Sequence, residues 1–142
     1  MAETKYSEKF RGTGAELESQ DGVIIFTLGG DRTVDMAAKE RRWFDDKVQD
    51  LEKAHPDQIW GLAIDFKNVK TEQSETVGIK TLAARLLQDK QIGAIAVIKA
   101  NKGYQLIVRA ILFTLTTETG KLKFFEATDM ALEWLRVKRA GK

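Results

Sequence analysis

Few side chains in this sequence could do acid–base or metal chemistry. The single histidine, His55, directly precedes Pro56 at a predicted helix end, where we interpret it as an exposed or dipole-facing residue rather than a base. Asp31 follows one predicted strand and Asp65 lies late in the next, and paired carboxylates at one sheet edge can do acid–base or metal chemistry. The more ordinary role for Asp65 is to pair with a lysine or a backbone N–H. We therefore predict a protein that is not an enzyme and has no metal site.

Signatures of nucleotide and thiol chemistry are also missing from the sequence. Gly29 and Gly30 are followed by no further glycine at dinucleotide-binding spacing, and no phosphate-loop lysine motif occurs. No serine lies in the G-x-S-x-G pattern of hydrolases. The chain has no cysteine, which excludes disulfides, thiol catalysis and zinc–thiolate sites. We expect no cofactor.

Two polar segments instead look suited to binding. Residues 67–74 follow the apolar run 60–66, and Asn101 and Lys102 follow the apolar run 92–98. In open α/β sheets, ligands and partners bind beyond the carboxyl ends of the strands. Free N–H groups at a helix start, together with the lysine, would make an anion site at Asn101 and Lys102. The alternative there is a capped helix with a solvated lysine.

The elements that must position these segments are those of one α/β domain. A chain of 142 residues is of single-domain size, and its short apolar runs are typical of covered parallel strands. We predict a mixed, mainly parallel sheet of about five strands with an N-terminal hairpin and four helices. The predicted order is a hairpin at 15–28, helix 35–54, strand 60–66, a helix to about 89, strand 92–98, helix 104–116, strand 121–126 and a last helix. Residues 1–12 are expected to be a flexible arm, and residues 13–142 a single domain with a short basic C-terminal tail.

Charge and hydropathy favour a cytoplasmic protein. The 23 basic and 21 acidic residues give a net charge of +2. Proteins that bind nucleic acid often carry a basic stripe with interleaved aromatic residues, and this sequence shows no such stripe. No apolar run approaches the ~20 residues of a membrane span, and residues 1–11 show no signal-peptide pattern.

The predicted third helix, residues 104–116, is apolar nearly all round. One side should pack on the sheet, which leaves Leu106, Ala110, Phe113 and Thr114 pointing outward. An outward apolar patch would mark a partner surface, self-association or a groove for an apolar ligand. The alternative is simple burial under the N-terminal arm.

The order of elements and four apolar segments resemble the STAS family of anti-sigma-factor antagonists. Within that family, the chain is most similar to the stand-alone bacterial branch that combines STAS features with those of CRAL-TRIO lipid-transfer domains. The similarity spans roughly residues 15–136, and the segments that carry it are Gly22–Gly30, Leu62–Val69, Ile95–Ile98 and Lys123–Leu135.

The resemblance implies a possible phosphorylation switch after the central strand. Regulatory members carry Asp-Ser-Ser-Gly there, and a kinase partner phosphorylates a serine at the helix start. The matching residues here are Gln73, Ser74, Glu75 and Thr76, so Ser74 stands at the phosphoacceptor position while its neighbours depart from the pattern. Glu75 places a fixed negative charge beside the hydroxyl, which a phosphate would have to oppose. The alternative is that Ser74 caps the helix.

Together these patterns predict a non-enzymatic module that binds another protein or a second copy of itself as a homodimer. The predicted docking surface is made of Gln73, Ser74, Glu75, Thr76, Asn101, Lys102, Leu106 and Phe113. The alternative function is binding of a small ligand, either an acyl chain or an anionic metabolite, between the third helix and the sheet.

Overall fold

A six-stranded mixed sheet organises the chain, and its strands lie side by side in the order in which they occur in the sequence. The first three strands pair antiparallel, and the last four pair parallel with one another. The strands are β1 (Tyr6–Phe10), β2 (Ala15–Gln20), β3 (Val23–Thr27), β4 (Trp60–Asp65), β5 (Ile92–Ile98) and β6 (Leu122–Phe125).

Three α-helices lie wholly within the residues that the structure describes, and they connect or cover these strands: α1 (Val34–Ala54), α2 (Thr76–Gln88) and α3 (Thr128–Lys138). The computed structural model describes residues 6–30, 33–69, 76–100, 102, 105, 106, 109 and 119–138. The predicted α/β class is confirmed. Lys102, Gln105, Leu106 and Arg109 are helical, but the predicted helix at 104–116 otherwise lies outside the described residues. Among the described residues, no helix combines the length and apolar character needed to cross a bilayer.

The sheet has six strands rather than about five because part of the expected N-terminal arm is a strand. Residues 6–10 were predicted to be flexible, which is wrong: they pair with β2 along the whole of β1. The Phe10 ring packs against Trp43 of α1 with 5.5 Å between centroids, and Lys47 of α1 lies 2.7 Å from the Glu8 carboxylate. A polar segment thus becomes ordered because its few anchors meet partners that are distant in sequence.

Helix α1 begins and ends at identifiable caps. At its start, the Thr33 hydroxyl accepts a hydrogen bond from the Met36 N–H at 3.2 Å, which satisfies one of the free donors of the first turn. Beyond its end, the Gln91 side-chain amide donates to three carbonyl oxygens at 3.2–3.3 Å, those of Glu52, His55 and Gln58. This amide therefore ties the end of α1 to the segment that leads into β5.

Helices α1 and α2 pack together and cover one face of the sheet. Phe44 of α1 is fully buried and stacks on Phe26 of β3, with ring centroids 4.2 Å apart. Val48 and Leu51 continue this apolar stripe one and two turns further along the helix. The larger of the two hydrophobic clusters that the described residues form therefore lies between these two helices and the strands.

Helix α3 covers the opposite face, where the sheet presents small side chains. Ala63 of β4 and Ala94 and Ala96 of β5 are fully buried there, against Ala131 and Leu135 of α3. Small residues on both surfaces let the helix approach the sheet closely, which suits the high packing density of protein interiors.

Candidate functional site

A cavity of about 100 Å³ lies on the face of the sheet that α1 and α2 cover. Its described walls are almost entirely apolar and come from four parallel strands and both helices. They are Phe26, Leu28, Glu40, Arg41, Phe44, Ile64, Phe66, Leu82, Ala83, Leu86, Ile95, Val97 and Leu122. Leu28 and Phe66 directly follow β3 and β4, so the cavity reaches the carboxyl ends of these strands, where open α/β sheets bind ligands.

One carboxylate, that of Glu40, is part of the cavity wall and is fully buried. Its Oε2 accepts a hydrogen bond of 2.5 Å from the Thr13 hydroxyl and one of 3.2 Å from the Gly29 N–H. The Thr13 Oγ1 also accepts the Ala15 N–H at 3.3 Å. Since a buried charge is tolerated only when it is well paired, these bonds hold α1 against the segments that flank β2 and β3.

The same contact explains the glycine at position 29. A Cβ atom built there would lie 2.2 Å from the Thr13 carbonyl oxygen and 2.5 Å from the Thr13 Oγ1. Backbone cannot yield as a flexible side chain does, so only glycine fits. Gly29 therefore serves the packing around Glu40.

A polar recess of about 440 Å³ lies near the C-terminal ends of α1 and α2 and opens to solvent. It is lined by Gln49, Glu52, Arg85, Gln88 and Asp89. Arg85 of α2 joins the two helices, because its Nη1 lies 3.1 Å from the Asp89 Oδ2 while its Nη2 contacts the carboxylate of Asp45 on α1.

Two carboxyl groups in this recess have pKa values displaced in opposite directions. Burial, together with the hydrogen bond with Asp89 and the charge of Asp89, raises the pKa of Glu52 to about 8, although the charge of Arg85 partly opposes this effect. Burial would by itself also raise the pKa of Asp89, but hydrogen bonds from Glu52, the Gln91 N–H and Arg85 bring it below its usual value. The pair thus holds one proton at neutral pH, and Glu52 carries it.

Lys121, which directly precedes β6, contacts the end of α2 beside this recess. Burial lowers the pKa of Lys121, although the charges of Asp89 and Glu52 partly oppose this effect. Its Nζ donates to the carbonyl oxygens of Leu87 and Asp89 at 2.8 and 2.9 Å. Lys121 therefore caps the C-terminal end of α2, where a cation is favoured by the helix dipole.

Of the residues predicted to do chemistry, Asp65 is buried and its Oδ1 accepts the Lys67 N–H at 2.9 Å. The backbone N–H pairing expected as its ordinary role is therefore confirmed. No group of three or more histidine, cysteine or acidic residues that could hold a metal occurs within the described part of the chain.

The predicted docking surface is only partly described. Thr76 is the first residue of α2, Lys102 is exposed, and the Leu106 side chain is 67% exposed, which confirms that Leu106 points outward. Gln73, Ser74, Glu75, Asn101 and Phe113 lie outside the described residues. That these residues form one surface stays a prediction.

Sequence reasoning missed both polar clusters. Glu40 carried a usable signal, because it lies four residues before Phe44, on the apolar stripe of α1, where an acidic residue must find a buried partner. No sequence signal could have predicted the contact between Glu52 and Asp89, because they lie 37 positions apart and only the folded sheet brings them together.

Comparisons with protein-family models, with curated proteins and with solved structures found no match. The similarity to the STAS family therefore stays a prediction.

Proposed function

We propose that this chain is a non-enzymatic, cytoplasmic binding module of STAS type that holds a small apolar ligand or part of an acyl chain. The observation that supports this proposal is the cavity between α1, α2 and the sheet. Ligand sites in proteins are mostly apolar concavities with a few polar groups that fix orientation. The described walls of this cavity have that composition, with Glu40 and Arg41 as their charged members.

The size of the cavity limits what it can take. Apolar cavities of ~150 Å³ stay dry and bind benzene, and about 100 Å³ is somewhat smaller. The cavity would therefore enclose a short alkyl segment rather than a whole lipid. Arg41 is the basic residue of the cavity wall, and an anionic head beside it would be attracted by its charge, so a carboxylate should bind more tightly than the alcohol of equal length.

Titration with hexanoate and with hexanol, followed by NMR, tests the proposal. Ala83 lines the cavity and Ala84, its neighbour on α2, does not. Ala83→Leu should fill the cavity and abolish binding, whereas the matched control Ala84→Leu should bind as the unmodified chain does. Absence of binding to the unmodified chain, or equal binding by Ala83→Leu, would contradict the proposal. Native mass spectrometry of freshly purified protein would show any apolar molecule that co-purifies.

Exposed apolar side chains favour a second candidate, a regulatory protein-interaction module. Leu106 is 67% exposed, Met130 63% and Val137 59%, and exposed apolar patches often mark partner surfaces. A partner that docks on the predicted surface should bind Leu106→Asp more weakly, and Ser74→Asp should weaken it if phosphorylation releases the complex. Unchanged affinity in both variants would remove these two residues from the surface.

A further inference from the structure

The outward side of helix α3 carries an apolar stripe. Met130 and Val137 are 63% and 59% exposed. At about 100° per residue, Val137 lies about 20° around the helix from Met130, so the two share one side. Trp134, one turn beyond Met130, packs instead against Phe125 and the buried cluster beneath the helix. Ala131 and Leu135 are fully buried and lie on the side that packs on the sheet. The stripe is therefore separate from the surface by which α3 joins the fold.

Two charged residues of opposite sign flank this stripe. Glu133 and Arg136 are both exposed, and neither forms an ion pair with another residue that the structure describes. Relative to Met130 they lie about 60° and about 120° around the helix in the same direction, so they border the same edge of the stripe.

We propose that α3 is the contact through which two copies of this chain associate, with the two helices antiparallel across a two-fold axis. An axis perpendicular to the helices, midway between Glu133 and Trp134, places Met130 of each copy opposite Val137 of the other. This rotation keeps the charged edges of the two helices on the same side. Arg136 of one copy then lies within about 3 Å, measured along the axis, of Glu133 of the second copy.

A second copy would therefore supply both an apolar cover for the stripe and ionic partners for Glu133 and Arg136. Its own stripe covers the exposed apolar side chains, and the dimer gains two Glu133–Arg136 pairs between copies. The same two residues serve on both sides, as an isologous interface requires. The contact is built on one helix of 11 residues, which is about 16 Å long. It would therefore bury less surface area than the ~1,600 Å² of a standard interface. We therefore expect a weak, reversible dimer.

This inference does not depend on the ligand cavity, because α3 covers the opposite face of the sheet from α1 and α2. Sedimentation equilibrium of the full chain from about 10 μM to about 1 mM should show concentration-dependent dimers. Met130→Lys should raise the dissociation constant about tenfold or more, because it places a charge in the apolar contact. Lys53→Glu, at an exposed position of α1, is the control and should leave association unchanged.

A charge-reversal mixture distinguishes this geometry from a general loss of folding. Glu133→Arg and Arg136→Glu should each weaken self-association about tenfold, because each sets like charges opposite one another. An equimolar mixture should associate again, since one variant presents two basic and the other two acidic side chains at these positions. A chain that stays monomeric at about 1 mM, variants that associate like the unmodified chain, or a mixture that does not recover would each overturn the proposal.

Discussion

Replacing Glu52 by glutamine tests whether this carboxyl group stores a proton in the folded protein at neutral pH. Its pKa rises from 4.5 to about 8 on folding, chiefly through burial and through Asp89. Between these two values the folded state binds a proton that the unfolded state has released. The free energy of unfolding should therefore fall as the pH rises from about 4.5 to about 8, and level off above it.

The size of the effect follows from the same interval. At ~1.4 kcal/mol per pH unit, the full interval corresponds to an upper limit of ~5 kcal/mol. The recess is open to water, and Arg85 and Lys121 oppose the negative charge. Screening of this kind reduces the effect, so we expect the unmodified chain to lose about 1–2 kcal/mol between about pH 6 and about pH 9.

Urea unfolding of the unmodified chain and of Glu52→Gln, measured across this pH range, provides the assay. Glutamine cannot release a proton, so the variant should lack the loss of stability. Burial lowers the pKa of Lys121 in both proteins, so the difference between the two curves reports mainly on Glu52. Glu18→Gln, at an exposed position of β2, should follow the unmodified chain. If Glu52→Gln loses stability with pH as steeply as the unmodified chain does, the assignment of the proton to Glu52 is wrong.

Three further substitutions test the contacts around the cavity and the recess by urea unfolding. Thr13→Val should cost about 1–3 kcal/mol because it removes the hydroxyl that donates to Glu40, and Thr13→Ser should cost much less; equal losses would contradict that role. Gly29→Ala should lower the free energy of unfolding by ~2 kcal/mol or more, because the new Cβ meets the Thr13 backbone. The control is Gly12→Ala, whose new Cβ meets the flexible end of the Met36 side chain. A larger loss for Gly12→Ala than for Gly29→Ala would contradict the packing role of Gly29. Lys121→Met should cost about 1–3 kcal/mol by uncapping α2, and an unchanged midpoint would show that the lysine is dispensable.

The sequence predicted best those elements whose own apolar pattern determines their place. Strand β5 occupies residues 92–98 as predicted, and β4 ends one residue before the predicted limit, at Asp65. Both are short apolar runs covered on two faces, and such a run leaves few alternatives. Helix α1 was also predicted within one residue of its start, because Thr33 caps it and Pro56 follows it.

The features that escaped prediction depend on contacts between distant residues. Strand β1 has few apolar residues, and its place depends on Trp43 and Lys47 of α1. The shared proton of Glu52 and Asp89 depends on two helix ends that only the sheet brings together. The local sequence pattern carries no information about the contact between β1 and α1 or about the contact between Glu52 and Asp89.

Because spatial order repeats chain order, every strand pairs with the strand made just before it. During synthesis the strands would therefore emerge from the ribosome in the order in which they lie in the sheet, and each new strand could pair with a strand that has already been made. The face of the sheet that carries Ala63, Ala94 and Ala96 cannot be covered during this process, because α3, which packs on it, comes after all six strands in the sequence. Until synthesis reaches about residue 138, that face remains in contact with water or with a chaperone.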